Sequence, residues 1–160
     1  MALYSTNNRL AGSQQNLSSS FKTIIAMTAA TGAATLKRGW IYEWEVGADG
    51  APNSTDCAIV YDWSRQTAAG TSTSATPNPL DSADTAAGLV ASVNFTAEGT
   101  ITAASSLASI ALNQRNSQRW IARDEKSAMI IPATNLAGIA ARALSPTYTS
   151  TVVVTQFHAE

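Results

Sequence analysis

Residues 38–66 constrain the fold most, because they contain two segments with strand periodicity on either side of a turn. In the first, Trp40, Tyr42, Trp44 and Val46 alternate with Ile41, Glu43 and Glu45, and in the second Ile59, Tyr61 and Trp63 alternate with Val60, Asp62 and Ser64. Alternation with a period of two is typical of a strand that buries one face. Residues 47–53 are rich in Gly, Asp, Pro and Asn, which turns favour. The stretch therefore predicts a hairpin of two paired strands, with its aromatic residues in the core and its acidic residues on the outer face.

Strand patterns continue along the rest of the chain. They occur in residues 21–28, 89–96, 100–103, 106–113, 115–123, 128–131, 136–144 and 148–158. Residues 136–144 also fit a helix, but Gly138 and the neighbouring strand patterns favour a strand. With the two segments above, the chain has about eight to ten strands. The sequence therefore predicts an all-β fold, an antiparallel β-sandwich with jelly-roll-like connections.

Two segments lack this pattern. Residues 1–20 are polar and predict an extended N-terminal arm in front of a single domain at 21–160, either ordered against a partner or disordered. Residues 67–88 form one long connection, which predicts a crossover between the sheets, a partner contact, or both. Within it, Asp81 is a candidate N-cap for a short helix that Gly88 would end.

The chain carries few charges and distributes them unevenly. Charged residues make up 13% of it, against about 25% in a typical soluble protein, and Ala, Ser and Thr take their place. Such a surface favours a protein that mostly contacts other protein, although ordinary β-domains also have it. The net charge of −1 argues against a nucleic-acid binder, which needs a basic surface. The acidic residues Glu43, Glu45, Asp49, Asp56, Asp62, Asp81 and Asp84 precede the basic Arg115, Arg119, Arg123, Lys126 and Arg142. Two oppositely charged surfaces could dock copies of the protein on one another, could dock the protein on a partner, or could be solvated strand faces.

The sequence shows no targeting or membrane signal. The first 20 residues lack a basic region followed by an apolar run, so we expect no signal peptide and synthesis in a cytoplasm. No apolar run approaches the roughly 20 residues that span a membrane, so we expect no membrane association. Cys57 is the only cysteine, and its place at the start of an apolar segment favours a small buried residue over a nucleophile.

Candidate catalytic groups are few. Glu43 and Glu45 share a face, and paired carboxylates can hydrolyse glycosides, but that face has no aromatic residue to bind a sugar. His158 is the only histidine, which argues against a zinc site, a Ser-His-Asp triad and a metal-binding enzyme of the cupin type. The sequence therefore predicts a protein with no catalytic activity, cofactor or metal.

Several short motifs resemble those of a known group of proteins. They are RQTAAGT at residues 65–71, PNPLDSAD at 77–84, and Asn113-Gln114-Arg115 ahead of Arg119-Trp120. Over residues 22–160 the chain resembles jelly-roll decoration or cement proteins of tailed bacteriophages. The last strand departs from the group, whose members more often end in two acids, by ending His158-Ala159-Glu160.

The resemblance implies a non-enzymatic virion protein on the outer surface of an icosahedral head. Such a protein is made in the host cytoplasm, is often a homotrimer, and reinforces contacts between subunits of the major capsid protein. On this view, the capsid or subunit interface is expected in the arm, in the connection at residues 67–88, on the basic strand and on the acidic strands. The candidate residues are Tyr4, Arg9, Leu10, Arg115, Arg119, Arg123, Glu43, Glu45 and Asp62. The basic strand is expected to face the acidic strands of an adjacent subunit.

A second function is compatible with the same fold. A carbohydrate- or receptor-binding jelly-roll module of a viral fibre or surface protein would need an exposed aromatic platform. The tryptophans lie on strand faces that the pattern assigns to the core, so the sequence favours decoration over this alternative.

Overall fold

The computed structural model describes residues 1–9, 11–29 and 36–160, which form two antiparallel sheets packed face to face. These residues contain twelve strands and no helix. The strands are β1 (Leu3–Asn7), β2 (Lys22–Ala29), β3 (Gly39–Ala48), β4 (Ala58–Ala68), β5 (Thr71–Ala75), β6 (Asn78–Pro79), β7 (Leu89–Ala97), β8 (Thr100–Asn113), β9 (Ser117–Ile121), β10 (Met129–Ile131), β11 (Gly138–Leu144) and β12 (Val152–Ala159). The predicted all-β antiparallel sandwich is confirmed, and residues 136–144 form a strand as expected.

The two sheets are linked by connections that pass from a strand of one sheet to a strand of the other. The front sheet has the order β10-β3-β12-β1-β6, with β9 also paired to β3. The back sheet has the order β5-β7-β2-β11-β4-β8. The pair β3 and β12 in front continues into the pair β4 and β11 behind, which gives the wrapped connections of a jelly-roll-like sandwich.

The predicted hairpin at residues 38–66 is wrong. β3 pairs with β12, β9 and β10 in the front sheet, whereas β4 pairs with β11 and β8 in the back sheet. The turn between them is therefore an arch that spans the core. Trp44 and Trp63 stack across it with ring centroids 4.0 Å apart. A period of two identifies the buried face of a strand but not its partner, and two strands with bulky buried faces are stabilised when those faces meet.

A β-bulge in β3 changes which of its aromatic residues are buried. Phe157 pairs with Glu43 and His158 pairs with Ile41, so Tyr42 is an extra residue on β3. Ile41 and Trp44 therefore both point into the core, while Trp40 is half-buried on the outer face beside Tyr42. The prediction of one continuous buried row, Trp40 included, is wrong because a single extra residue exchanges the two faces of a strand.

The N-terminal segment differs from the predicted arm. β1 pairs with β12 from Leu3 opposite Ala159 to Asn7 opposite Thr155, and its other edge pairs with β6. Tyr4 is fully buried, so residues 3–7 are part of the sandwich. The strand is short, and the second of its inward residues is Thr6, which is polar. The alternation of apolar and polar residues is therefore not recognisable in this polar segment. Leu10 lies outside the described residues.

The predicted crossover at residues 67–88 is present, but the segment also contains β5 and β6, and it returns to the back sheet at β7. β5 lies at one edge of the back sheet and β6 lies at one edge of the front sheet. The short helix predicted from Asp81 does not form. The Asp81 carboxylate accepts a hydrogen bond from the Ala83 amide, and the Asp84 amide donates to the Asp81 carbonyl, but the chain turns away after this single turn. An Asx turn uses the same side-chain chemistry as a helix cap, which explains the mistaken prediction.

Candidate functional site

An apolar cleft lies on the outer face of the front sheet. Its volume is about 240 Å3, and it is lined by Met1, Leu3, Trp40, Tyr42, Ala122, Asp124, Glu125, Ala128 and Ala159. We call this set of residues the aromatic cleft. The bulge in β3 places Trp40 and Tyr42 in its floor, and pairing of β1 with β12 places Leu3 beside Ala159.

The wall of the cleft is the segment that follows β9. The Ala122 amide donates to the Tyr42 carbonyl at 2.7 Å, which holds this segment against β3. A turn then closes between Asp124 and Ser127. The Ser127 amide donates to the Asp124 carboxylate at 2.9 Å, and the Ser127 hydroxyl accepts from the Asp124 amide at 3.0 Å. These bonds fix two acidic residues, Asp124 and Glu125, at the rim of an otherwise apolar cleft.

The aromatic side chains of the cleft are held by their neighbours. The Tyr42 and Phe157 rings lie 6.4 Å apart in a tilted arrangement, and the Arg38 guanidinium lies 5.9 Å from the Trp40 ring centroid. Burial, and secondarily the negative charge of Glu43, raises the pKa of Tyr42. The phenol therefore stays neutral at physiological pH, and the cleft suits an apolar or ring-shaped group.

The predicted acidic face does not exist as one surface. Glu43 and Glu45 lie on β3 in the front sheet, whereas Asp62 lies on β4 in the back sheet. Arg119 lies on the neighbouring strand β9 and contacts Glu43 at 2.6 Å and Glu45 at 3.4 Å. The basic and acidic strands therefore neutralise each other within one chain.

The other predicted basic residues occupy separate places. Arg115 follows the end of β8, not a strand of basic residues, and its guanidinium bonds the Asp56 carboxylate at 2.9 Å. Arg123 is almost fully exposed and lies 3.8 Å from the carboxylate of Asp124. Arg9 is exposed and forms an ion pair with Asp49. The structure does not gather these three arginines into one patch.

Asp62 belongs to a buried polar cluster instead of a surface. Its carboxylate accepts hydrogen bonds from the hydroxyls of Ser64 and Ser106, each at 2.5 Å, and from the Arg142 guanidinium at 2.6 Å. Burial raises the pKa of Asp62, but the hydrogen bonds from Ser106, Ser64 and Arg142 together hold the pKa below its usual value. The carboxylate is therefore ionised and already satisfied, which leaves it little capacity for a partner.

Tyr4 lies inside the sandwich. Its ring stacks on His158 with centroids 5.1 Å apart, and its hydroxyl donates to the Thr85 carbonyl at 2.9 Å. Nearby, the Glu160 carboxylate accepts the backbone amides of Gly88 at 2.7 Å and Leu89 at 2.8 Å. These contacts connect β1, β12 and the end of the crossover, and they place Tyr4 out of reach of a partner.

Cys57 is half-buried, and its thiol lies 3.3 Å from the side-chain oxygen of Gln114. Among the described residues, no group of three His, Cys, Asp or Glu side chains is placed to hold a metal ion. Within the same part of the chain, no helix has the length and apolar character needed to cross a membrane.

Sequence reasoning missed the aromatic cleft. Trp40 and Tyr42 share one alternating row with Trp44 and Val46, so the pattern assigns all four to the core. The sequence does contain a signal, because Leu3, Phe157 and Ile121 are apolar residues that point outward. They form one surface only because the strands that carry them are neighbours in the front sheet, which the sequence does not show.

Comparisons of the chain with protein-family models, with curated proteins and with solved structures gave no match.

Proposed function

We propose that this protein is a non-enzymatic structural protein of a tailed-phage virion, which decorates the outer surface of the icosahedral capsid and stabilises it. The proposed partner is the major capsid protein. The resemblance in sequence motifs suggests the class of protein, and the jelly-roll-like sandwich is compatible with it. The observation that carries the proposal is the aromatic cleft, because an apolar hollow on the outer face of a sheet marks an interaction site.

The cleft suggests how such a protein would stabilise a capsid. An apolar side chain of a capsid subunit that entered the cleft would remove its own surface and the surfaces of Leu3, Trp40 and Tyr42 from water. Each 100 Å2 of apolar area buried contributes about 2.5 kcal/mol before the cost of association. One cleft is small, so binding by a homo-oligomer at several points on the lattice would raise the overall affinity.

The chain offers a matched pair of substitutions to test the cleft. Leu3 lines it and is 39% exposed, whereas Val90 on β7 of the back sheet is 37% exposed and lies outside it. Leu3→Lys places a charge in the cleft, and Val90→Lys places the same charge on a similar strand position elsewhere. Co-sedimentation with heads assembled from the phage's capsid protein, without decoration, measures binding.

We expect Leu3→Lys to weaken binding at least tenfold and Val90→Lys to bind like the unmodified protein. Equal binding by both variants would remove the cleft from the proposal. Failure of the unmodified protein to bind heads would reject capsid decoration itself.

A carbohydrate- or receptor-binding module remains the second candidate, and one observation favours it. Trp40 is half-buried on the outer face instead of inside the core, and with Tyr42 it presents aromatic rings in a cleft. Aromatic rings of this kind stack on sugar rings. Two results together would favour this function over decoration. Glycans would quench the tryptophan fluorescence less in Trp40→Phe than in the unmodified protein, and the unmodified protein would fail to bind heads.

A further inference from the structure

The strand β8 (Thr100–Asn113) forms one edge of the back sheet and leaves that edge open. In the described part of the chain it pairs with β4 alone. It has 14 residues, and none of them is charged, proline or glycine. Exposed edge strands usually carry a charge, a proline or a bulge, or are very short, because an open edge pairs readily with other strands.

The other edge strands among the described residues have such protection. β6 has two residues and ends in Pro79, and β10 has three residues and is followed by Pro132. β9 carries the charge of Arg119, and β5 has only five residues. β8 has a bulge near Ser106, but from Ala108 to Asn113 it pairs with β4 in regular register. This regular half of β8 is the least protected edge of the sandwich.

Backbone groups of β8 point away from the sheet along this half. The Gln114 amide donates to the Cys57 carbonyl at 3.0 Å, so these two residues, next after the pair Asn113 and Ala58, lie at a hydrogen-bonded position of the ladder. In an antiparallel ladder, bonded and non-bonded pairs alternate. Leu112, Ile110 and Ala108 therefore bond to β4, whereas the amides and carbonyls of Ala111 and Ser109 point outward.

The side chains of this edge are compatible with a second copy of themselves. We propose that β8 pairs antiparallel with β8 of another copy of this chain, with the two-fold axis at Ala111. Ala111 then faces Ala111, and Ser109 faces Asn113, without any like charges in opposition. Ile110 faces Leu112 on the inner side, twice by symmetry.

Pairing in this register also completes the core. Ala108, Ile110 and Leu112 are only partly buried and pack against the main core at its edge. A second β8 covers them and joins the two back sheets into one continuous sheet. An interface built on one edge is small, so the dimer is expected to depend on concentration. This contact uses an edge of the back sheet, whereas the aromatic cleft lies on the front sheet, and it is independent of the proposed function.

Proline at position 111 tests the pairing directly. Ala111→Pro removes an outward amide hydrogen but no hydrogen bond to β4. Because the dimer is two-fold symmetric, it loses two hydrogen bonds between the copies. Ala111→Lys keeps the amide and places two like charges in opposition at the axis. Ala111→Ser keeps both the amide and the neutrality, and serves as the matched control. Sedimentation velocity over a range of protein concentrations measures the assembly, and circular dichroism verifies the fold of each variant.

We expect the unmodified protein and Ala111→Ser to form dimers as the concentration rises. We expect Ala111→Pro and Ala111→Lys to dissociate about tenfold more readily or to stay monomeric, with the sheet content unchanged. An unmodified protein that is a monomer throughout, or a trimer as the sequence resemblance implies, overturns the proposal. The proposal is also overturned if Ala111→Lys is folded and dimerises as readily as the unmodified protein.

Discussion

The ion pair between Asp62 and Arg142 offers a sharp test of how the sandwich is stabilised. Asp62 accepts hydrogen bonds from two serine hydroxyls and from the Arg142 guanidinium, and the Phe21 ring centroid lies 4.5 Å from that guanidinium. The side chains are 6% and 17% exposed for Asp62 and Arg142. A second pair, Asp56 with Arg115, is 60% and 50% exposed and provides a control in the same chain.

Removing either partner of the buried pair leaves the other without its counter-charge. Loss of one member of a buried ion pair lowers the free energy of unfolding by about 3 to 5 kcal/mol. Because Arg142 is partly hydrated, we expect a loss of about 3 kcal/mol for Asp62→Ala. The double variant Asp62→Ala, Arg142→Ala should cost little more than either single variant. The coupling energy between the two residues is therefore expected to be about 2 to 3 kcal/mol.

Urea unfolding followed by tryptophan fluorescence measures the free energy of unfolding of each variant. The same cycle on Asp56 and Arg115 should give a coupling energy indistinguishable from zero, because exposed pairs are hydrated and screened. Equal coupling in the two cycles would refute the argument that burial and the serine hydrogen bonds make the Asp62 pair strong.

The pH dependence of the Asp62 cycle has a definite sign. The folded-state pKa of Asp62 lies below its ordinary value of 3.8. The contribution of the ionised carboxylate to stability is therefore fully present above about pH 4 and is lost as the pH falls through the folded-state pKa. The coupling energy should be the same at pH 7 and pH 5 and should decrease at pH 2.

Two further predictions concern the contacts that join β1, β12 and the crossover. Burial raises the pKa of Glu160, but the His158 ring, 3.4 Å from the carboxylate, and the hydrogen bonds from the Leu89 and Gly88 amides outweigh it and lower the pKa from 4.5 to about 2. The stability that the lowered pKa contributes is present above about pH 5 and is lost as the pH falls towards 2, so Glu160→Gln should flatten acid unfolding over that range. Tyr4→Ala should cost about 3 to 5 kcal/mol in urea unfolding, because the buried ring packs on His158, whereas a disordered arm would tolerate it without loss.

Most of the strands could be predicted from the sequence because each has a local signal. The alternation in residues 89–96 and 148–158 identifies β7 and β12, and β-branched residues in the latter add a preference for extended backbone. Even the ambiguous segment around Gly138 forms a strand. A buried strand face repeats every second residue whatever its partner, so the class of fold is readable from one chain.

The site could not be predicted in the same way. The aromatic cleft depends on one extra residue at Tyr42, on the arrival of β1 beside β12, and on the turn that Asp124 and Ser127 close. None of these is a property of a local window. The acidic face failed as a prediction for the same reason, since Asp62 shares a pattern with Glu43 but lies in the other sheet.

The sequence by itself determined that this chain is an antiparallel sandwich with one long connection at residues 67–88, and that Cys57 and His158 are its only cysteine and histidine. Those conclusions follow from the period of the apolar residues, from the composition and from the number of each residue type. Each of these can be read from a short segment or summed along the chain. Only the tertiary structure decided which strands pair. Residues 38–66 illustrate the difference, because their two aromatic strands face each other across the core with Trp44 stacked on Trp63. Pairing is set by the packing of all faces at once, and a single bulge was enough to turn Trp40 from the core to the surface.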